Sequence, residues 1–577
     1  MSSKLYTILD KLKKLLVHYP LVLLFSFATV LVILYGIEME PNKEQGYLLL
    51  RLGLVFSLGI SSQFAVKMLA QRHTKGYVGQ VLGVLFLIGY YFIFPREEKD
   101  FTEVYAFILF PTFILSHLLV SYIAFLNQVN SEGDFWEFNK NLFINLFLTV
   151  VFTGVLTGGV ELALLAIKEL FNCHFSDKVF FETFATLAIL GSTIIFLLFS
   201  DTGLPYLEKK RVYPIILKFF TQFILIPLLL SYLLILYFYS VKITWNWELP
   251  RGWVSYLVLA YSIVGILALL LVHPLKSENV KSWVLVFNRV YYYTLIPLLI
   301  LLFTAIFTRV LQYGYTEARY FVLLLALWLT TVVLYFVLNR KASIKFIPVS
   351  LFLFGLIALV FPYFNAFSVS KRSQEKELKA LLSQNHMLVN GKIDFSKPIL
   401  DSVKYEVESK LRFLSQRHDV AYLKTFLDAK TKRVVDEDIY WYTSLFTHIT
   451  YTDTNEHNEL RIFTRNDVLS IQGYDYLAVN DYGGTFETTI NHETLTITPD
   501  PTSFTVAIGE AQVDVLPQIK ALFTNYRNAT ADVLVKDISV VTALKNYKIK
   551  IIFNSVSWNK KEDLYTYDQI TYLVKIK

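Results

Sequence analysis

The sequence predicts an α-helical polytopic membrane bundle of about eleven spans, followed by a soluble α+β extracytoplasmic domain. Three observations predict it. Hydrophobic residues make up 54% of the 577 residues and charged residues only 18%, with a mean hydropathy of +0.46, a balance that an ordinary soluble surface with about 25% charged residues does not produce. Apolar stretches of membrane-crossing length recur as far as Phe364 and then cease. The charges divide at the same place: residues 366–577 carry 26 Lys+Arg and 27 Asp+Glu, and the upstream part carries 28 and 20. The basic character therefore belongs to the membrane part and points to no nucleic-acid partner. An aromatic content of 16% excludes a disordered chain, and the single cysteine, Cys173, excludes an internal disulfide scaffold.

A helix of about 20 residues crosses roughly 30 Å of hydrocarbon. Stretches of that kind occur near 18–37, 48–70, 77–94, 104–126, 142–170, 179–200, 213–240, 252–273, 290–311, 317–338 and 346–364. The fifth and seventh are longer than a perpendicular crossing needs, so they should tilt or project from the bilayer. The first lacks a small-residue cleavage pattern and reads as a retained span. With loops assigned alternately to two sides, the side of the N-terminus holds sixteen Lys and Arg and the other side six. Basic residues are retained in the cytoplasm. That bias places the N-terminus inside and, with an odd number of spans, residues 366–577 outside.

The organisation read from the chain is a bundle over 1–365, an amphipathic helical connector over 366–435 and a mainly β module over 436–577. Leu-rich charged periodicity at Lys376–Leu382 and Val407–Leu414 predicts the connector's helices. Alternation in Tyr547–Phe553 and in Ile570–Ile576, with the polar connection Asn559–Asp563 between them, predicts strands. Leu516–Tyr526 reads as one intervening helix. A segment of this size can bury its own core.

Three stretches carry a family likeness: Trp247-Glu248-Leu249-Pro250-Arg251-Gly252-Trp253, Tyr313-Gly314-Tyr315-Thr316-Glu317-Ala318-Arg319-Tyr320, and Asn365-Ala366-Phe367-Ser368-Val369-Ser370-Lys371-Arg372-Ser373-Gln374. Over roughly residues 140–430 the chain resembles the bacterial polytopic membrane family of domain of unknown function 4153, with the composition of a Bacteroidetes-like member. The resemblance implies a bacterial inner-membrane protein and implies no reaction, cofactor or catalytic residue.

The same motifs have a physical reading. Trp245, Trp247 and Trp253 around a Pro-Arg-Gly turn suit a headgroup interface. Thr316 is placed to cap a helix beginning at Glu317, Glu317 suits that helix's positive end, and Gly314 permits a tight turn. An extracytoplasmic rim of Glu248, Arg251, Arg309, Glu317, Arg319 and Arg372 follows. Its guanidiniums either pair with Glu248 and Glu317 or hold a phosphate or carboxylate. The three motifs are expected to meet as an arginine-rich junction, either a seam of internal ion pairs or a seat for an anionic lipid.

Within the spans, Glu161, Lys168 and His117 form the expected membrane polar site, because an ionisable group among acyl chains costs a few kcal/mol or more and should face the bundle. The alternatives are that Glu161 pairs with Lys168 or is solvated, that His117 is a packing residue, and that Lys218 snorkels. Gly154 and Gly158 in the fifth span have the spacing that lets another helix approach.

No phosphate loop, nucleophile elbow, paired cysteine or His-Glu-x-x-His helix occurs. His386, His418, His448, His457 and His492 are scattered, so no catalytic residue, metal site or cofactor is expected. Three function classes follow: envelope sensing or interaction through the extracytoplasmic domain, which the large module favours; transport of a small solute or lipid past Glu161; and a membrane enzyme acting on envelope or lipid-linked substrates. The partners expected are the bilayer itself and an anionic lipid or envelope protein.

Overall fold

A computed structural model describes residues 2–576 apart from 40–41, 74–75, 129–131, 172, 174, 211–212, 247–253, 274–281, 340, 398, 418–419, 429–430, 433–434, 436–440, 442–448, 451–458, 465–470, 481–483, 525–530, 534–537 and 560–561. Among the described residues, nine helices are long and apolar enough to cross a membrane, and two shorter apolar helices bring the count to the eleven segments expected. This is a multi-pass membrane protein. It divides into two compact units, residues 1–393 with 407–442, and residues 394–406 with 443–577.

In the first unit an amphipathic helix α1 (Ser2–His18) precedes α2 (Pro20–Glu38), whose proline occupies a first-turn position where its missing N–H costs nothing. Asn42 caps α3 (Lys43–Arg72), its side chain accepting from the Gln45 N–H at 2.9 Å. Next come α4 (Gly76–Tyr91), α5 (Val104–Tyr122) and α6 (Glu132–Leu170). At 39 residues α6 is about 58 Å long, so the long fifth span does project beyond the hydrocarbon. Ser176 caps α7 (Asp177–Ser200), which is interrupted by a π-helical stretch at Leu187–Gly191. A second π-helical stretch, Phe220–Leu225, interrupts α8 (Ile215–Ile243). The bundle closes with α9 (Val254–Val272), α10 (Ser282–Tyr313), α11 (Glu317–Leu338) and α12 (Phe346–Val360).

Two large apolar cores hold the bundle, with a smaller one of Val55, Leu58, Leu87, Tyr90 and Phe94 between α3, α4 and α5. One large core joins α1, α2, α3, α5, α6 and α7 around Phe64, Met68, Phe125, Phe138 and Leu197. The other joins α8 to α12 around Ile226, Val258, Tyr291, Leu302 and Val332. At the end of α7 the chain turns at Gly203, where φ is +78° and a Cβ would stand 2.7–2.9 Å from Gln71 Oε1, Met68 Cε and the Tyr19 hydroxyl, so only glycine fits. The expected amphipathic helices follow as α13 (Ala366–Gln384), α14 (Asp401–Ser415) and α15 (Val420–Phe426).

The second unit is built on two larger sheets, beside a short parallel pairing of Ile399–Leu400 with Ile449–Thr450. Strands β1 (Glu459–Thr464), β2 (Tyr476–Asn480), β3 (Phe486–Ile490), β4 (Glu493–Asp500), β5 (Ser503–Ile508), β6 (Ala511–Asp514), β7 (Ala531–Val533), β8 (Ser539–Leu544), β9 (Tyr547–Asn559) and β10 (Leu564–Ile576) are joined by one helix, α16 (Leu516–Thr524). A four-stranded antiparallel meander runs β6-β5-β4-β3, and the larger sheet runs β7-β1-β9-β10-β2. The first half of β9 also pairs with β8 and its second half with β1. The alternation read at 547–553 buries Tyr547, Ile549, Ile551 and Phe553, and the polar connection is the hairpin between Asn559 and Leu564. Lys520 Nζ and the Trp558 indole N–H both donate to Asp563 there and hold its carboxyl below the ordinary range.

Candidate functional site

Residues from α2, α3, α5, α6, α7, α9 and α12 line an open-sided cavity of about 730 Å³ in the first unit. Its walls are apolar, with Phe64, Leu142, Phe196, Leu270 and Ile347 among them. One cluster in the lining is polar. Asn139 Nδ2 donates to the Ser121 carbonyl at 3.1 Å, His117 lies one turn before Ser121, and Lys140 follows Asn139, all four residues lining the space. Lys140 is held by Glu137 Oε2 at 2.6 Å and lies 4.9 Å from the Trp136 ring centroid, which fixes an otherwise costly buried ammonium. His117 Nδ1 is 2.8 Å from the Phe113 carbonyl. A carbonyl only accepts, so Nδ1 carries a proton and donates to it.

The π-helical stretch of α7 borders the cavity through Ala188 and Ile189. A π turn takes carbonyls out of the regular ladder. Here Ser192 Oγ donates to the Ala188 carbonyl at 2.6 Å, Thr193 Oγ1 to the Ile189 carbonyl at 2.7 Å, and Ser26 Oγ of α2 to Thr193 Oγ1 at 3.1 Å. Irregular backbone at membrane depth is tolerated when it is satisfied in this way or lines a cavity, and this segment does both.

Along α6 every fourth residue is polar: Asn141, Asn145, Thr149, Thr153, Thr157 and Glu161. Residues four apart form one ridge of a helix, and the first five of these are buried. The lower part is satisfied, since Asn141 Nδ2 donates to the Leu207 carbonyl at 2.7 Å and Asn145 Nδ2 to the Phe199 carbonyl at 2.9 Å. Above Thr149 the pairing stops. Thr153 Oγ1, Thr157 Oγ1 and Glu161 Oε1 are enclosed without a hydrogen-bond partner. The Asn145–Phe199 contact and the Lys168–Asp177 contact at 3.8 Å fix the antiparallel register of α6 and α7 and set Thr153 and Thr157 level with the π-helical stretch. Averaged hydropathy hides this ridge, although its four-residue spacing is plain in the sequence.

The structure separates the expected membrane polar site. His117 lines the cavity, Glu161 stands at the unsatisfied end of the ridge, and Lys168 pairs with Asp177 rather than with Glu161. The glycines of α6 do not pack against another helix of the chain: a Cβ at Gly154, Gly158 or Gly159 would meet nothing within 4 Å among the described residues.

On the rim, Glu248 and Arg251, with the whole first motif, lie outside the described residues. The second and third motifs do meet. Ser373 Oγ accepts from the Tyr315 N–H at 2.8 Å, and Gln374 Nε2 donates to the carbonyls of Tyr313 and Tyr315 at 2.9 and 2.8 Å. Gly314 makes this approach possible: its φ is +72°, and a Cβ would stand 2.8–2.9 Å from Glu377, Gln374 and Ser373. The arginines do not form the contact. Arg319 donates to the Gly314 carbonyl at 2.8 Å, Arg372 to the Tyr363 carbonyl at 2.6 Å, and Arg309 lies 6.0 Å from the Tyr313 ring centroid.

Thr316 does occupy the N-cap of α11, but its hydroxyl makes no capping bond. Glu317 has a partner that sequence reading missed, 100 positions away. Arg417 Nε and Nη2 donate to its two carboxylate oxygens, each at 2.7 Å, with side-chain exposures of 7% for Arg417 and 1% for Glu317.

The family of domain of unknown function DUF4153 matches residues 19–388. The chain belongs to this family. The DUF4153 region takes in every span, the cavity, the α6 ridge and all three motifs, and it begins and ends earlier than the 140–430 that the motifs suggested. The chain is also similar to the uncharacterized protein PM1469 of Pasteurella multocida (strain Pm70), 25% identical over 468 residues, which are 78% of this chain and 75% of that protein. No solved structure matches it.

Proposed function

We propose that this DUF4153 protein is an envelope-sensing protein of the bacterial inner membrane that holds an amphiphilic ligand in its bundle cavity, with its N-terminus in the cytoplasm and its C-terminal module in the periplasm. The observation that carries the reading is the cavity's mostly apolar lining, in which His117, Ser121, Asn139 and Lys140 form one polar cluster. Such a shape accepts an acyl or isoprenoid body and orients its polar head. The sixteen-to-six bias of basic residues supports the orientation.

Native mass spectrometry of the full chain released from mild detergent is expected to show a retained lipid-sized adduct. Ala188→Phe, which fills the cavity from its wall, is expected to lose that adduct while keeping the wild-type melting profile. Equal adducts on both proteins would overturn the reading. For orientation, reporter fusions after Gln374 should be active as a periplasmic enzyme and fusions after Lys345 fluorescent in the cytoplasm; the reverse pattern would refute the topology.

A second reading, transport of a small solute or lipid, is favoured by the unsatisfied Thr153, Thr157 and Glu161 oxygens, which are what a hydrated path along α6 would offer. It would show as vesicle uptake lost in Glu161→Gln.

A further inference from the structure

Arg51 lies in α3, two turns in from the start of the helix, and is 9% exposed. Among the described residues it forms no ion pair and no hydrogen bond, and its Nε is enclosed without a partner. Two rings hold the guanidinium instead: it lies 4.3 Å from the Tyr91 ring centroid and 5.6 Å from that of Tyr47. Tyr47 is fixed by its hydroxyl, which donates to the Pro95 carbonyl at 2.9 Å, and by Phe101 at 5.8 Å. Of the acidic groups on the neighbouring turn, Glu97 pairs with Lys99 at 2.7 Å, and Asp100 is not within ion-pair distance of Arg51.

An arginine clamped by aromatic faces keeps its planar fork oriented. Without a counter-charge such a buried cation is costly. Depth identifies the missing anion. At 30 residues α3 is about 45 Å long, close to the bilayer thickness including headgroups, and Arg51 lies about 12 Å from its start, where a long side chain reaches the phosphate layer. Lipid phosphates are the anions abundant at that level.

We infer that Arg51, framed by Tyr47 and Tyr91, is a binding site for the headgroup phosphate of an anionic phospholipid. The Nη groups, which are not enclosed as Nε is, donate to two phosphate oxygens, and the rings exclude water from the pair. The site is independent of the bundle cavity and of the function proposed for it.

The test is titration of the full chain in mild detergent with phosphatidylglycerol or phosphatidylcholine, read by native mass spectrometry. Phosphatidylglycerol is expected to bind more tightly, and Arg51→Gln to weaken it about tenfold, the loss of one charge-assisted contact, without changing phosphatidylcholine binding. Arg51→Lys, which keeps the charge and loses the fork, should fall between. Tyr91→Leu gives a further variant with the arginine intact and should also weaken phosphatidylglycerol selectively. Equal binding of the two lipids by the wild type would overturn the assignment, as would unchanged phosphatidylglycerol binding in Arg51→Gln and Tyr91→Leu. Displacement of the lipid by millimolar inorganic phosphate would overturn it too, because the site would then be one for a free anion.

Discussion

Arg417→Gln is expected to lower the unfolding midpoint of the bundle sharply, by about 3–5 kcal/mol of stability, because it strands the Glu317 carboxylate in a place that water does not reach. Both oxygens of Glu317 are taken by one guanidinium, whose third nitrogen donates to the Phe413 carbonyl at 2.9 Å and whose Cζ lies 3.4 Å from the Phe413 ring centroid. Bidentate, charge-assisted geometry of this kind cannot be rebuilt by an amide. Glu317→Gln is expected to cost less than Arg417→Gln, since the arginine keeps its bond to the Phe413 carbonyl when its partner is lost, whereas the carboxylate is left with nothing. Replacing both residues with apolar ones of similar volume should recover much of the loss. The measurement is thermal or denaturant unfolding in detergent followed by tryptophan fluorescence. A wild-type midpoint for Arg417→Gln would show that the pair does not tie the start of α11 to the chain that follows α14.

Tyr291→Ala is the second large effect. Tyr291 is 1% exposed, its hydroxyl donates to the Ser262 carbonyl at 2.8 Å, and its ring lies over Gly265, against Phe287 and Tyr261 at 5.3 and 5.9 Å. In a bilayer the transfer of an apolar ring out of lipid contributes little, so helix association rests on close packing and on bonds such as this one. Truncation empties the space between α9 and α10 and is expected to cost about 3 kcal/mol or more. Gly265→Ala approaches the same space from the other side, driving a Cβ into the Tyr291 ring at a cost of about 1–3 kcal/mol. The double variant should be more stable than the sum of the two losses, because the alanine methyl then occupies space that the ring has left. Strict additivity would mean that the two residues do not share that space.

Much of the architecture was legible in the sequence because it depends on local composition. Eleven apolar segments and the alternating runs that became β9 and β10 each announce themselves within twenty residues, and no distant contact is needed to say that a stretch is apolar or alternates. Gly314 could be read as a turn residue for the same reason. The polar ridge of α6 was equally local, yet a reading tuned to the mean hydropathy of a span passes over six polar residues spread at intervals of four.

What the chain's local chemistry determined, then, was which segments enter the bilayer, which form strands, and where single polar groups interrupt apolar runs. The tertiary structure alone decided which of those groups meet. Glu317 looked suited to its own helix terminus or to Arg309 and Arg319 close by, and its partner is Arg417. Lys168 looked suited to Glu161 two turns away on the same helix, and it pairs with Asp177. Gly154 and Gly158 had the spacing of a packing face and meet open space, while Gly265, which has no such spacing, receives a tyrosine ring. The cavity belongs to seven helices and is written in none of them. The reason is physical. A span's insertion is set by its own transfer free energy, whereas pairing and packing are set by the register and facing of helices that lie far apart in the chain, and no local pattern encodes those.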